Sequence, residues 1–333
     1  MSKRMRWVLE DKNKLAWLLV TGIVVILPLI LGEGYYLSVM NFIALYSVVA
    51  IGLCLLVGYG GQLSISHSAF FAIGAYTSAI FCLRYDLHPI ISILLSQGVA
   101  ALVAWGIGAV VLRLKGHYLA IATLSFTIIV EVLIKEMAFL TGGLQGLASI
   151  PSISLGGFYI DSDWRFYFMV WPLIMLLLLF SLNLVDSRMG RVFRATKESE
   201  DITRLFGANV KRYKVKLFIL SSVYASFAGS LYAHFVTFIS PVAGSIMFAI
   251  EIIMVLAFGG FTILWGAMLG TASLTFLNEY LTIFADYKRA IYGGALIGIM
   301  LFFPNGLLEG LKSYADLLVQ SVRRGARDNA STQ

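Results

Sequence analysis

Long stretches of apolar residues, most near the length that carries a helix across a bilayer, constrain this chain more than anything else in it. A hydrocarbon core about 30 Å thick takes roughly 20 helical residues, and a soluble core seldom needs runs of that length repeatedly. Such runs lie at 15–31, 36–57, 62–83, 89–112, 118–134, 166–185, 215–239, 245–258, 263–284 and 290–303, bounded by charge, glycine and proline. Composition agrees. Hydrophobic residues make up 59% of the 333 residues and charged residues 13%, against about a quarter charged in a soluble domain. The expected fold is all-α, a polytopic membrane helix bundle of about ten transmembrane helices over 15–303, between an N-terminal segment 1–14 and a tail 304–333. Lys3, Arg4 and Arg6 before the first run mimic a secretory signal, but the run is long for a signal core and no small-x-small cleavage site follows.

Charge sets the sides, because cytoplasmic loops collect Lys and Arg. With the N-terminus inside, the inner segments hold twenty of the 25 basic residues: five before Leu15, then Arg113 and Lys115, nine from Arg188 to Lys216, and four in the tail. Arg84, Lys135, Arg165, Lys288 and Arg289 stay outside. A nine-span count strands the tail or the mid-chain loop, so both termini are expected to be cytoplasmic. The net charge of +7 is then a topology signal. No aromatic-interleaved basic patch marks a nucleic-acid partner; the expected surroundings are membrane lipid.

Two connections are longer than a helix hairpin needs. The outer one, 137–165, carries Thr141-Gly142-Gly143, Gly146 and Pro151 and suits an irregular loop at the outer mouth. The inner one, 186–216, is the most polar stretch, yet it is patterned. Ser199 is placed to cap a helix that has Glu200 and Asp201 in its first turn and Gly207 at its end, with Ile202, Leu205 and Phe206 on one face. Ahead of it, Val192 and Phe193 stand among Arg191, Arg194 and Lys197. Two short amphipathic helices there either rest on lipid headgroups or form a docking surface for a cytoplasmic protein, which accounts for their being structured. Small residues at four-residue spacing, Ala100, Ala104 and Gly108, Gly266 and Gly270, Gly294 and Gly298, mark close helix contacts. Val57-Gly58-Tyr59-Gly60-Gly61 faintly echoes Ala257-Phe258-Gly259-Gly260; an inverted five-plus-five repeat accommodates the echo without being shown by it.

Polar groups inside the spans are the chemical candidates. Gln62, Ser64, Ser66 and His67 cluster where a span begins, and facing hydrocarbon each would be costly, so they either bond between helices or line a substrate path. Glu131, Glu251 and Glu279 are functional candidates by position, with Glu251 toward the outer mouth, Glu279 near the outer surface, and Glu131 spaced to pair with Lys135. The four histidines lack metal-ligand spacing, and Cys54 and Cys82 suit small buried hydrophobes rather than a disulfide framework or metal site. No G-x-x-x-x-G-K-[ST] phosphate loop occurs, so any ATP is handled by a partner, and neither enzymatic activity nor a bound cofactor is expected of this chain.

An ordered set of motifs then covers nearly the whole chain: Gly61-Gln62-Leu63-Ser64 with His67, Gly74-Ala75-Tyr76, Arg113-Leu114-Lys115-Gly116, Leu140-Thr141-Gly142-Gly143, Asp186-Ser187-Arg188 with Gly190-Arg191, Leu205-Phe206-Gly207-Ala208-Asn209, Ser240-Pro241, Leu264-Trp265-Gly266 and Phe303-Pro304-Asn305-Gly306-Leu307. It resembles the LivM-type permease subunits of branched-chain amino acid ABC importers, departing at the bulky Phe206 and at Phe261-Thr262-Ile263. The resemblance implies a permease in a bacterial inner membrane that moves hydrophobic amino acids by alternating access. Its implied partners are a LivH-like second permease subunit, two cytoplasmic ATPase subunits that use the ATP, and a periplasmic substrate-binding protein docking near residues 141–147. Loop 186–214 would be the coupling segment, through Gly190, Arg191, Val192, Arg194, Glu198, Ile202, Leu205 and Gly207. The substrate path would draw on Gln62, Ser64, Ser66, His67, Thr141, Gly142, Gly143 and Glu251. Similar permeases carry urea or short amides. The rival from another class is an ATP-independent carrier using Glu131 and His67 as ion sites; an intramembrane enzyme built on His67 ranks last.

Reporter fusions after Thr141 and after Glu198 are expected to report opposite sides of the membrane; a same-side result breaks the topology.

Overall fold

The protein is described by a computed structural model over residues 34–281, apart from Gly156 and Gly157, with scattered positions at 17–32 and 293–297. Helix α1 spans Tyr35–Leu53 and continues as a π-helical stretch, Cys54–Tyr59. Then come α2 (His67–Tyr85), α3 (Pro89–Val111), α4 (His117–Glu136), a small outer subdomain, α5 (Asp163–Asp186), two short helices α6 (Arg188–Glu198) and α7 (Glu200–Leu205), α8 (Val210–Val236), α9 (Ile246–Gly259) and α10 (Leu264–Tyr280). Five of these, α1 with its extension, α3, α4, α5 and α8, are long and apolar enough to cross a membrane. The helical, polytopic architecture expected from the sequence is present. Only scattered positions of the expected spans 15–31 and 290–303 are described, and segments 1–14 and 304–333 lie outside the described residues, as does the full count of ten.

Helix α1 is the axis of the bundle, with Leu45, Val48 and Ile51 fully buried. It packs on α5, α8 and α10, while α2 is enclosed by α3 and α8. Because protein rather than lipid surrounds it, α2 can carry His67, Ser68 and Ser78 on buried positions. Apolar exclusion cannot drive such contacts in lipid, so close packing and hydrogen bonds must. A Cβ at Gly229 of α8 would come within 1.9 Å of Phe71 O on α2, and one at Gly74 within 2.1 Å of Ser226 O. The two backbones touch at those points. The stripe Ala100, Ala104 and Gly108 is buried in the same way, Gly108 facing Phe218 of α8, and Gly266 and Gly270 face Gly259 and Val255 of α9. These faces therefore meet within the chain; Gly298 lies outside the described residues.

Two expected spans are built differently. In place of helix over 62–83, residues 61–66 are irregular and helix starts only at His67. Gly61, at φ 64°, ends the preceding winding. Side chains on α4 stand in for the missing helical partners: Ile65 N donates to Thr123 Oγ1 at 3.1 Å and Thr127 Oγ1 donates to Ile65 O at 2.9 Å. Irregular backbone at membrane depth is tolerated when protein satisfies it. The second departure is the 245–258 run. Helix α9 has 14 residues, about 21 Å of rise, too short for a core of about 30 Å. It forms a pair with α10, bent by 117° at the intervening break.

The start of α9 lies well inside the membrane. Gly244 packs on Ala72, next to the residue that Gly229 meets, so it is level with Gly229 and roughly 10 Å inside Val236, the outer end of α8. Likewise α2 starts where His67 meets Ser221, roughly 16 Å along α8 from Val210. Two helices thus begin at mid-depth and run in opposite senses. The glycine-rich turns that precede α2 and follow α9 touch: a Cβ at Gly58 would lie 1.9 Å from Phe261 O, and Tyr59 Oη donates to Thr262 O at 2.8 Å.

Replacing Gly229 with Ala is expected to destabilise the chain by about 1–3 kcal/mol through overpacking, lowering its thermal midpoint in detergent. Gly98→Ala, with nothing within 4 Å of its Cβ, should leave the midpoint unchanged or slightly raised.

Candidate functional site

At the inner end, α6 and α7 form a handle folded under the bundle. Ser187 Oγ caps α6 by accepting from Met189 N and Gly190 N, and Ser199 Oγ caps α7 by accepting from Ile202 N. Gly207, at φ 81°, ends the second helix as its position in the sequence suggested. Gly190 is buried, where a Cβ would strike Val185 O at 2.1 Å, so only glycine lets α6 turn back so tightly on α5. Arg194 donates to Val185 O at 3.2 Å and Arg191 to Asp186 O at 3.3 Å. Phe193, buried, meets the ring of Tyr213 edge-on at 6.2 Å. Val192 is half-buried, and Glu198 and Gly207 are exposed.

Two links fasten the handle. Lys197 Nζ donates to Gly58 O at 2.7 Å, and its stem covers Gly61. Glu200 binds Lys214 of α8 directly and lies 3.4 Å from Arg204 and 3.7 Å from Lys115 of the α3–α4 connection. Burial raises the Glu200 carboxyl, but the hydrogen bond and charge of Lys214, then Lys115 and Arg204, outweigh it and hold the group below its ordinary value. At the tip, Ile202, Leu205 and Phe206 are 57%, 86% and 85% exposed, an apolar face that none of the described residues covers.

The polar residues at the start of α2 are enclosed by protein and only partly bonded to it: the Ser64 and Ser66 hydroxyls and His67 Nε2 have partners, while Gln62 Oε1 and His67 Nδ1 have none among the described residues. Gln62, Ser64, Ser66 and His67 are buried. Ser64 and Ser66 hydroxyls lie 2.9 Å apart; His67 Nε2 lies 2.5 Å from Ser221 Oγ, which donates to Gly52 O at 2.8 Å. These bonds tie α1, α2 and α8 together. Nearer the outer end, Ser78 Oγ is 2.7 Å from His234 Nε2, and His234 Nδ1 is 2.7 Å from Pro151 O, fastening the outer loop to α8. Thr141 is also buried, its hydroxyl donating to Ile134 O at 2.6 Å, while Gly142 and Gly143 adopt φ of 75° and 59° around it. These seven residues form two separate clusters at different depths. Glu131 pairs with Lys135 at 2.6 Å, as their spacing predicts.

Glu251 stands apart from both clusters. It lines a cavity of about 280 Å³ with Tyr46, Phe71, Tyr232, Ser245 and Phe248. A smaller space of about 70 Å³ between α1, α9 and α10 shares Tyr46, Phe248 and Glu251 with it. The walls are interlocked rings: Phe71 meets Phe248 at 5.0 Å and Tyr232 at 5.4 Å, and Tyr46 meets Phe248 at 5.4 Å. Among the described residues no group of His, Cys, Asp and Glu could hold a metal ion. Sequence reasoning misses Lys197, Glu200 and these rings. Rings on four helices give no local pattern, and the Glu200–Lys214 pair spans a helix boundary.

Comparison with known proteins points one way. The family described as "Branched-chain amino acid transport system / permease component" matches residues 35–303. The high-affinity branched-chain amino acid transport system permease protein LivM of Salmonella typhimurium is 29% identical over 320 residues, covering 89% of this chain and 75% of that protein. LivM of Escherichia coli matches over the same shares at the same identity. The permease protein LivH of Salmonella typhimurium is 26% identical over 283 residues, covering 79% of this chain and 91% of that protein. No solved structure matches.

Glu200→Gln is expected to speed tryptic cleavage within 186–214 in inside-out membranes about two- to tenfold, the scale of a partly exposed charge cluster. Because the folded carboxyl titrates below the unfolded value of about 4.3, its contribution is present above that pH and is lost as pH falls through the folded value. Wild-type loop protection, followed by hydrogen exchange, should fall over that acid range, and Glu200→Gln should flatten the change.

Proposed function

We propose, since the chain belongs to the family of branched-chain amino acid transport system permease components, that it is one membrane-spanning subunit of an ATP-driven importer of hydrophobic amino acids in a bacterial inner membrane. The observation that carries the ATP-driven part is the handle: two capped helices clamped to the bundle by Lys197 and Glu200, with Ile202, Leu205 and Phe206 turned out. A loop that only connected spans would need neither the clamps nor the apolar tip. Cytoplasmic ATPase subunits would seat that tip and hydrolyse ATP, which this chain has no phosphate loop to bind.

The route of the motion follows from the contacts. A displacement of α7 reaches α6 directly, and Lys197 passes it to Gly58, where the turn after α1 abuts the turn between α9 and α10. Those two turns close the inner end of the bundle, so their separation opens a path inward and their contact shuts it. At the other end, Leu147 pairs with Ile239, and Ile150 N donates to Thr237 O at 3.1 Å. These bonds hold the outer loop over the start of the α9 arm, where a substrate-binding protein would deliver its load. A second, similar permease subunit would complete the path. An ion-driven carrier built on Glu131 and His67 is less well supported, since Glu131 is paired with Lys135 and His67 with Ser221.

Cells lacking this chain should fail to take up labelled leucine and recover when it is restored. Leu205→Asp is expected to remove at least nine-tenths of that uptake, by burying an unpaired charge in the docking site, at an unchanged level of chain in the membrane. Normal uptake by that variant, or full-speed transport by the chain reconstituted alone, overturns the proposal.

A further inference from the structure

Of the carboxyl side chains within the described spans, Glu251 alone lines both the 280 Å³ and the 70 Å³ spaces. We propose that this cavity is where the transported amino acid is held, its ammonium group on the Glu251 carboxylate and its apolar side chain against Tyr46, Phe71, Tyr232 and Phe248. The inference rests on the amino acid importer reading and adds to it the place and the group recognised.

Four features of the cavity lead there. Its size, just under the roughly 300–1,000 Å³ of drug-sized ligand pockets, suits one amino acid and excludes a peptide. Its position is near mid-depth, since α9 starts about 10 Å inside the outer end of α8 and Glu251 lies a turn and a half further on. Its chemistry is a single carboxylate against ring faces whose negative quadrupoles also attract a cation, with too few ligands to fix a metal ion. Its open side is the fourth. Met247 is 59% exposed and Val242 72%, and both belong to the lining. That opening gives a solute a way in to the cavity. An uncharged solute such as urea would gain little from the carboxylate and less from the rings, so the site selects α-amino acids over amides.

The test uses cells carrying the complete importer and labelled leucine at sub-saturating concentration. Glu251→Gln, which keeps shape and hydrogen bonding and removes charge, should lower uptake about ten- to hundredfold, the scale of a lost charge-assisted bond. Glu251→Asp should recover most of it. 4-Methylpentanoate, leucine without its amino group, should not compete in the wild type. An independent arm places a thiol at the rim: leucine should slow modification of Met247→Cys by a water-soluble thiol reagent, the native Cys54 and Cys82 both being buried. Leucine uptake that is unchanged in Glu251→Gln, or absence of protection at position 247, overturns the subsite while leaving the importer standing. Wild-type cells that take up labelled urea and not leucine overturn the amino acid reading and the subsite together.

Discussion

Inside a bilayer every backbone N–H and C=O must find a partner within the protein, and this chain departs from plain spans only where it supplies one. Thr123 and Thr127 hold both polar groups of Ile65, and that pair of bonds allows α2 to start at mid-depth instead of at the surface. The delayed start brings His67 level with Ser221 and Phe71 level with Gly229. The depth at which the α9 arm begins is set by the same register, because Gly244 rests on Ala72. The cavity beside Glu251, lined in part by Phe71 of α2, shares that register.

The two ends of the molecule are fastened by different means. At the outer end a bridge between Leu147 and Ile239 and the His234–Pro151 bond fix the loop by backbone contacts. At the inner end side-chain ammonium groups do the fastening, Lys197 on Gly58 and Lys214 on Glu200. Long lysine stems tolerate displacement that a backbone bridge does not. The inner face is thus the compliant one, as the proposed coupling to a moving partner requires.

Much of this was legible in the amino-acid order. The long apolar runs located α1, α3, α4, α5 and α8, because a helix long enough to span shows its apolar length in sequence whether it faces lipid or protein. The capped helices of the inner loop were readable from Ser199 and Gly207, since caps are local chemistry. The start of α2 was not: the apolar run continues through Leu63 and Ile65, and what stops the helix is held by threonines some sixty residues away. The shortness of α9 was readable, since the apolar run 245–258 is itself that short, but its 117° bend against α10 was not. Gln62, Ser64, Ser66 and His67 are neighbours in one dimension, and in three His67 reaches across to Ser221 of α8, a bond that no local pattern announces. The ring walls of the cavity come from four helices and leave no spacing to find.

The π-helical stretch at the inner end of α1 has a mechanical meaning. Gly60 N bonds to Leu55 O, five residues back, so Cys54–Tyr59 winds in one residue more than an α-helix of equal length would. Letting that residue out would lengthen the helix by about 1.5 Å and swivel everything beyond it by about 100°. The surplus is slack in a cable, and the lysine from the handle grips the cable at Gly58. A pull of an ångström or two on the handle can then be spent as rotation at that end of α1, with the rest of the helix standing still.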